Sequence, residues 1–458
     1  MSERLGLTEA ISIALGGMIG GGIYAVLGVV AGITKAATWF AFVLAGVVAA
    51  CAGYSYVTLN TMSDNQGGSV SFVQSFVGNS TLAGMVGWTL LFGYIGSMAM
   101  YAFAFAEFTM WFDAVPTSFA SLPLRPVLSV VAVAAFVGLN LLGAQATGSA
   151  ENVLVAGKVG ILVVFGVLGL VYATMLEPMA VSMGTSKLAS FSPVMAAAVS
   201  FVAFQGWQLL FYDQDSISDP VETIRKAVYV SIPVSVLIYI LVAVVTVNLV
   251  PQAITKHPHT ALVRAGQQMV SPWGVGAAAA VVISFSAILS TGSAINATLF
   301  STAHFAEGMV SDGLLPDRIT SEDHDEGVPP RTVLVIGVVT AAFTAYGSLN
   351  AITSFASLAF IVVFGSMSLL AFRQRDQEAV TGAIPAVGAV GAFGFFPLML
   401  YHLYTKEPGT FYMVVAIAAA VIALELLYFE RETIEEEVEA FESEVASAAD
   451  GVFGNSDD

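Results

Sequence analysis

The feature that most constrains this chain is a succession of apolar stretches, each long enough to cross a lipid bilayer, separated by short polar punctuation. A spanning helix takes roughly 20 apolar residues. Runs of that kind can be drawn at about 8–32, 38–60, 82–112, 126–146 and 152–174, then at about 194–212, 227–250, 273–303, 332–347 and 351–372. Two closing runs lie near 383–404 and 410–428. The pattern predicts an all-α integral membrane protein with twelve transmembrane helices, which puts both termini on the same side of the lipid bilayer. Composition agrees, since only 10% of the 458 residues are charged where a soluble domain carries about a quarter. The chain divides into a twelve-span membrane domain, 1–429, and an acidic tail, 430–458.

Several function classes drop out. No nucleophile and base, and no metal-ligand cluster, occurs at a useful spacing, so an enzyme is not expected. No repeated filter segment or ring of charge suggests a pore. Nothing indicates a nucleic-acid partner, and the oligomeric state is left open. The single cysteine, Cys51, lies in an apolar run and gives no disulfide framework.

The net charge of -18 is concentrated in the tail, where eleven acidic residues face Arg431 alone. An acid-rich, lysine-poor surface fits a high-salt organism such as a halophilic archaeon, and it equally fits a plain acidic tail. Within the tail Ile434, Val438, Phe441 and Val445 make a narrow apolar stripe on a helix, either solvated or docked on the membrane domain. With the termini inside, eight Lys/Arg fall in cytoplasmic segments and six in external ones. This slight bias puts both termini in the cytoplasm, and the pattern suits the plasma membrane.

The first span carries Gly16-Gly17-Met18-Ile19-Gly20-Gly21-Gly22-Ile23-Tyr24 in its middle. Glycine costs about 0.8 to 1 kcal/mol relative to alanine in a helix interior, so this stretch is expected to unwind at membrane depth. Unwound backbone there must line a cavity, where its amides would attract a carboxylate and its carbonyls an ammonium group. The alternative is close helix packing through the pairs Gly16 with Gly20 and Gly17 with Gly21. If the chain contains two inverted halves of five spans, about 8–174 and 194–372, the sixth span should break as well. Phe204-Gln205-Gly206-Trp207-Gln208 is the matching interruption.

These residues resemble the amino acid, polyamine and organocation (APC) superfamily of secondary transporters. Gly17-Met18-Ile19-Gly20-Gly21-Gly22-Ile23-Tyr24 is similar to its first-span glycine motif. Gly67-Gly68-Ser69 follows the second span, with Val70 where the family carries an aromatic residue. Asp219-Pro220 with Arg225-Lys226, and Ser311-Asp312-Gly313-Leu314-Leu315-Pro316, complete the likeness, which covers about residues 5 to 430. It implies the leucine-transporter-like fold of five plus five inverted spans, with helices 1 and 6 broken and extra spans at about 383–428. It implies amino acids or amines as substrates, with no cofactor and a proton or sodium gradient as the driving force. Carried over by position, the amides of Ile19, Gly20, Gly21 and Gly22 would hold the carboxylate, and the carbonyls of Gly16 and Gly17 would lie nearby. Phe204, Gln205, Gly206 and Trp207 would face the ammonium group and side chain. Neither break holds an acidic residue, which favours a zwitterion over a polyamine.

Lys158 is a charge about six residues inside the fifth span, and a charge at that depth requires an explanation. It either snorkels back to the interface or serves a function, with Gly157 and Gly160 letting the first span approach. It resembles a lysine of a proton-coupled archaeal relative that stands where sodium-coupled members bind sodium, bridging a first-span carbonyl and a span-eight hydroxyl. On the eighth span Ser290 is the first choice of hydroxyl and Ser293 the second. Burial disfavours the charged form of an ammonium, so its proton could be gained and lost during transport. The leading expectation is proton-coupled amino acid symport. A sodium-coupled or exchange transporter of the same fold, and a non-transporting amino acid receptor, are the alternatives.

The narrow tail stripe yields a first test. Truncation after Arg431 is expected to leave the apparent substrate affinity within a few-fold of the full chain, read from the concentration dependence of uptake. Complete loss of uptake by a correctly inserted truncation would instead support a docked, regulatory tail.

Overall fold

The computed structural model describes residues 4–63, 67–112, 115–116, 118–119, 122–142, 148–176, 180–212, 214–319 and 329–429. The acidic tail lies outside them. Helices dominate: α1 Leu7–Thr34, α2 Thr38–Met62, α3 Ser69–Val77, α4 Ser80–Thr109, α5 Leu124–Leu141, α6 Gly148–Val171, α7 Phe191–Ser200 and α8 Pro220–Leu249. After them come α9 Pro251–Lys256, α10 Ala261–Val270, α11 Gly276–Ser311, α12 Pro330–Tyr346, α13 Leu349–Arg373, α14 Ala383–Lys406 and α15 Pro408–Phe429. The one sheet among the described residues is a two-residue ladder, Ser118–Phe119 with Leu122–Pro123.

Among the described residues nine stretches are long and apolar enough to cross a membrane, the first of which, Leu7–Met62, contains both α1 and α2. Phe191–Phe204 and Pro330–Tyr346 are shorter apolar helices. The short helices α3, α9 and α10 fall in segments that the hydropathy pattern treats as loops. At the other end of the chain from the tail, Leu5 pairs in parallel with Ile217, its amide donating to the Ser216 carbonyl at 2.8 Å and its carbonyl accepting from the Ser218 amide at 2.9 Å. This bridge ties the segment before α1 to the segment before α8.

The core lies where α1 meets α7, α8 and α11, and where α4 meets α11 and α13. Here the expectation of an unwound first span fails. The helix α1 continues through Gly16 to Gly22 without interruption. The reason lies in what the missing side chains admit. A Cβ on Gly17 would stand 2.6 Å from the Gly206 Cα, one on Gly20 2.7 Å from the Ala294 Cβ, and one on Gly22 2.5 Å from the Tyr239 hydroxyl. Close packing of that kind, together with intact backbone bonds, offsets the poor helix propensity of glycine. Each backbone group left unbonded in an apolar medium costs several kcal/mol.

Between α7 and α8 the chain does leave the α conformation. A 3-10 turn over Phe201–Phe204 leads to extended Gln205, then to Gly206 at φ 131°, then to a second 3-10 segment over Trp207–Phe211. Neighbouring side chains bond the backbone groups released there. Ser357 on α13 donates to the Val199 carbonyl at 2.7 Å and accepts from the Val202 amide at 3.1 Å. The Tyr239 hydroxyl on α8 reaches the Ala203 carbonyl at 2.8 Å, and the Gln208 side chain accepts from the Gly206 amide at 2.7 Å.

The conformation at Gly206 requires glycine on two counts, its positive φ and the Gly17 backbone 2.7 Å from any Cβ. Gly206→Ala is therefore expected to lower the thermal midpoint of the detergent-solubilised protein, by an amount corresponding to about 1 to 3 kcal/mol. Gly157→Ala, with open space around it, should leave the midpoint unchanged or slightly raised. Equal behaviour of the two variants in a thermal-stability assay would contradict the packing described.

Candidate functional site

The glycine face of α1, the break at Gln205-Gly206 and the buried Lys158 meet in one region. Gly16 to Gly22, Phe204, Gln205, Gly206 and Trp207 are all buried. Ile19 and Phe204 are core residues, the Phe204 ring lying 5.3 Å from the Tyr239 ring. Trp207 stands between Tyr56 at 5.0 Å and Phe364 at 5.1 Å. Its indole N–H, wholly buried, makes no hydrogen bond among the described residues. Because α1 is intact, the amides of Ile19, Gly20, Gly21 and Gly22 lie along the helix axis, bonded to carbonyls a turn earlier. In this conformation they are not free to receive a carboxylate.

Lys158 is 4% exposed, so it does not snorkel to the surface. Its Nζ donates to the Gly16 carbonyl at 3.2 Å and to the Ser293 hydroxyl at 3.2 Å, linking α6 to α1 and α11. The order expected on α11 is reversed. Ser293, in turn, donates to the Ser290 carbonyl at 3.1 Å, whereas the Ser290 hydroxyl is buried without a hydrogen bond among the described residues. Gly157 and Gly160 do not admit α1, since neither has any neighbour within 4 Å of a Cβ position. The approach that lets Lys158 reach Gly16 depends on the length of the lysine stem.

Sequence reasoning named Gln205 and Gln208 in the break but missed the tyrosine hydroxyls that they bond. Gln205 donates to the Tyr101 hydroxyl, and Gln208 donates to the Gln205 amide oxygen at 3.2 Å and to the Tyr94 hydroxyl at 3.2 Å. Tyr94 in turn donates to Tyr212 at 3.0 Å. Tyr239 touches both halves of the site, its hydroxyl also lying 2.6 Å from the Met18 carbonyl. The available signal was the pair Tyr94 and Tyr101 within one apolar run, which a hydropathy window averages away. Glu425, buried on α15, was missed in the same way.

Tyr212 also lines a cavity of about 550 Å³ together with Gln74, Asp215, His304, Phe305 and Asp312. The rings of Tyr94, Tyr212 and Phe305, 4.7 to 6.2 Å apart, stand beside it. Burial pushes the Asp312 carboxyl up from its usual range, opposed by a hydrogen bond from Gln74. The motif around Asp312 is held in place from two sides, by the Trp88 indole on the Leu314 carbonyl at 3.0 Å and by Tyr428 on the Gly313 carbonyl at 3.0 Å. Asn140 on α5 donates to Asn296 on α11 at 2.8 Å, a polar link between two spans.

A bundle of apolar helices with one span interrupted and a cationic side chain buried among the others is the architecture of a membrane transporter. The amino acid permease family model matches residues 5–428, and the chain belongs to that family. It is a transporter and not an enzyme. It is 28% identical over 406 residues to the inner membrane transport protein YbaT of Escherichia coli (strain K12), covering 88% of this chain and 91% of that one. It is 24% identical to the cationic amino acid transporter 3, mitochondrial, of Arabidopsis thaliana, over 81% of this chain and 62% of that one. Its fold is shared with the crystal structure of the Eremococcus coleocola manganese transporter, with a TM-score of 0.60 at 11% identity, covering 93% of this chain and 94% of that one.

The packing of Gly21 supplies a test of the site. Its Cβ position lies 1.7 Å from the Tyr101 ring, so Gly21→Leu is expected to abolish amino acid binding, measured as ligand-induced thermal stabilisation, in a variant that remains monodisperse. Unchanged binding would remove the glycine face from the site.

Proposed function

We propose that this chain moves amino acids across the cytoplasmic membrane by proton-coupled symport, with Lys158 as the coupling residue. The observation that carries the reading is the bridge from the Lys158 ammonium to the Gly16 carbonyl and the Ser293 hydroxyl. A carbonyl and a hydroxyl facing one another at depth are oxygen ligands of the kind a small cation takes, and a fixed ammonium occupies their centre. Charged, it clamps α6 against α1 and α11 through charge-assisted hydrogen bonds, which are roughly twice as strong as neutral ones. Loss of its proton weakens the clamp, so protonation and the packing of α1 become linked equilibria.

The same reading assigns the substrate to the glycine face of α1 and to Phe204, Gln205, Gly206 and Trp207. Binding of the carboxylate then requires α1 to open locally at Gly20 to Gly22. The glycine content keeps that step inexpensive in helix propensity. The nine spanning stretches, counted with α1 and α2 separate, and the two shorter apolar helices support twelve spans. Twelve spans, as two inverted repeats and two closing helices, put both termini on one side, and the slight Lys/Arg bias assigns that side to the cytoplasm.

The test is uptake into proteoliposomes driven by a pH gradient in sodium-free buffer, with all twenty amino acids offered singly. Wild type should accumulate substrate. Lys158→Ala should lose pH-driven accumulation, and Lys158→Arg, which cannot deprotonate, should bind substrate but turn over poorly. A wild type that requires a sodium gradient, or a Lys158→Ala variant that still accumulates substrate on a pH gradient, would overturn the coupling role.

A further inference from the structure

Tyr101 on α4 is wholly buried and crosses the space between the two backbone segments of the proposed site. Its ring rests on Gly21, where a Cβ would stand 1.7 Å from Cδ1 and 1.8 Å from Cε1. Its hydroxyl accepts a hydrogen bond from Gln205 beside Gly206. The ring thus fills the volume into which the side chain of an amino acid anchored on both segments would project. The surrounding Ile19, Phe204 and Trp207 are fully buried as well. The bulkier the ligand group, the further it must rotate the ring, which breaks the Gln205 bond and strands a buried hydroxyl. A charged ligand group would meet no countercharge among Ile19, Tyr101, Phe204, Gln205 and Trp207.

We infer that the substrate is an α-amino acid with a small uncharged side chain, of the size of glycine, alanine or serine, and that Tyr101 sets this limit. The inference rests on the site assignment proposed above. Tyr101 acts here as a wall, a role that depends on ring volume and not on the hydroxyl. Volume and hydroxyl are separable by substitution.

The experiment compares uptake of alanine and leucine by wild type, Tyr101→Ala and Tyr101→Phe in proteoliposomes, with monodispersity of each variant checked in detergent. Tyr101→Ala is expected to shift the leucine-to-alanine ratio of kcat/KM towards leucine by at least about tenfold, mainly through the KM for leucine. Tyr101→Phe keeps the ring and should still exclude leucine. A second arm needs no variant: glycine, alanine and serine should raise the thermal midpoint of wild type at concentrations where leucine and phenylalanine do not. Uptake of leucine by wild type as efficient as that of alanine, or an unchanged ratio in a Tyr101→Ala variant that still transports alanine, overturns the size limit and leaves the transport reading standing. Failure of wild type to bind or accumulate any amino acid overturns both.

Discussion

Every backbone amide and carbonyl at membrane depth must find a partner inside the protein, and the centre of this molecule is arranged around that requirement. Where the chain leaves the helix at Gln205-Gly206, partners arrive from α8 through Tyr239, from α13 through Ser357 and from the same segment through Gln208. Satisfying the break locally lets it persist as permanent structure. The opposing helix α1 meets the requirement differently, by staying helical and offering a bare glycine face. The Gly17 and Gly206 backbones can then touch, with no side chain between them.

Lys158 builds on that closeness. Its ammonium uses a carbonyl from α1 and a hydroxyl from α11, so three separate helices contribute to one buried polar contact. The hydrogen bond to Gly16 joins a carbonyl at the start of the glycine run, where the helix has least side-chain support. Changes in this bond therefore bear directly on the part of α1 that packs on Gly206 and Tyr101. The polar chain from Tyr101 through Gln205, Gln208 and Tyr94 to Tyr212 continues from there to the wall of the 550 Å³ cavity.

The fold class was legible because hydropathy over about twenty residues reports directly on lipid exposure. Lys158 was legible because a charge in such a run is conspicuous. The glycine run was misread for a specific reason: glycine confers both backbone freedom and the absence of a side chain, and the two leave the same letters. Which property operates depends on Tyr101, Gly206, Tyr239 and Ala294, all distant in sequence. The choice between Ser290 and Ser293 depended on the rotation of α11 about its axis, and a difference of three residues is too fine for a motif to settle. Gly157 and Gly160 look like a packing pair for α1 but face away from it, since their spacing says nothing about which side of α6 is turned inward. The phenols of the polar chain were invisible because a hydropathy window averages them away, and they gain meaning only when α4 meets the broken segment.

The parallel bridge at Leu5 and Ile217 has a mechanical implication. It fastens the chain just before α1 to the segment leading into α8, while Gly17 and Gly206 press the same two stretches together at mid-depth. A body held to another at two separated points keeps one freedom, rotation about the line that joins them. Movement of α1 against the broken segment is thereby reduced to a swivel, and the groups farthest from that line travel farthest.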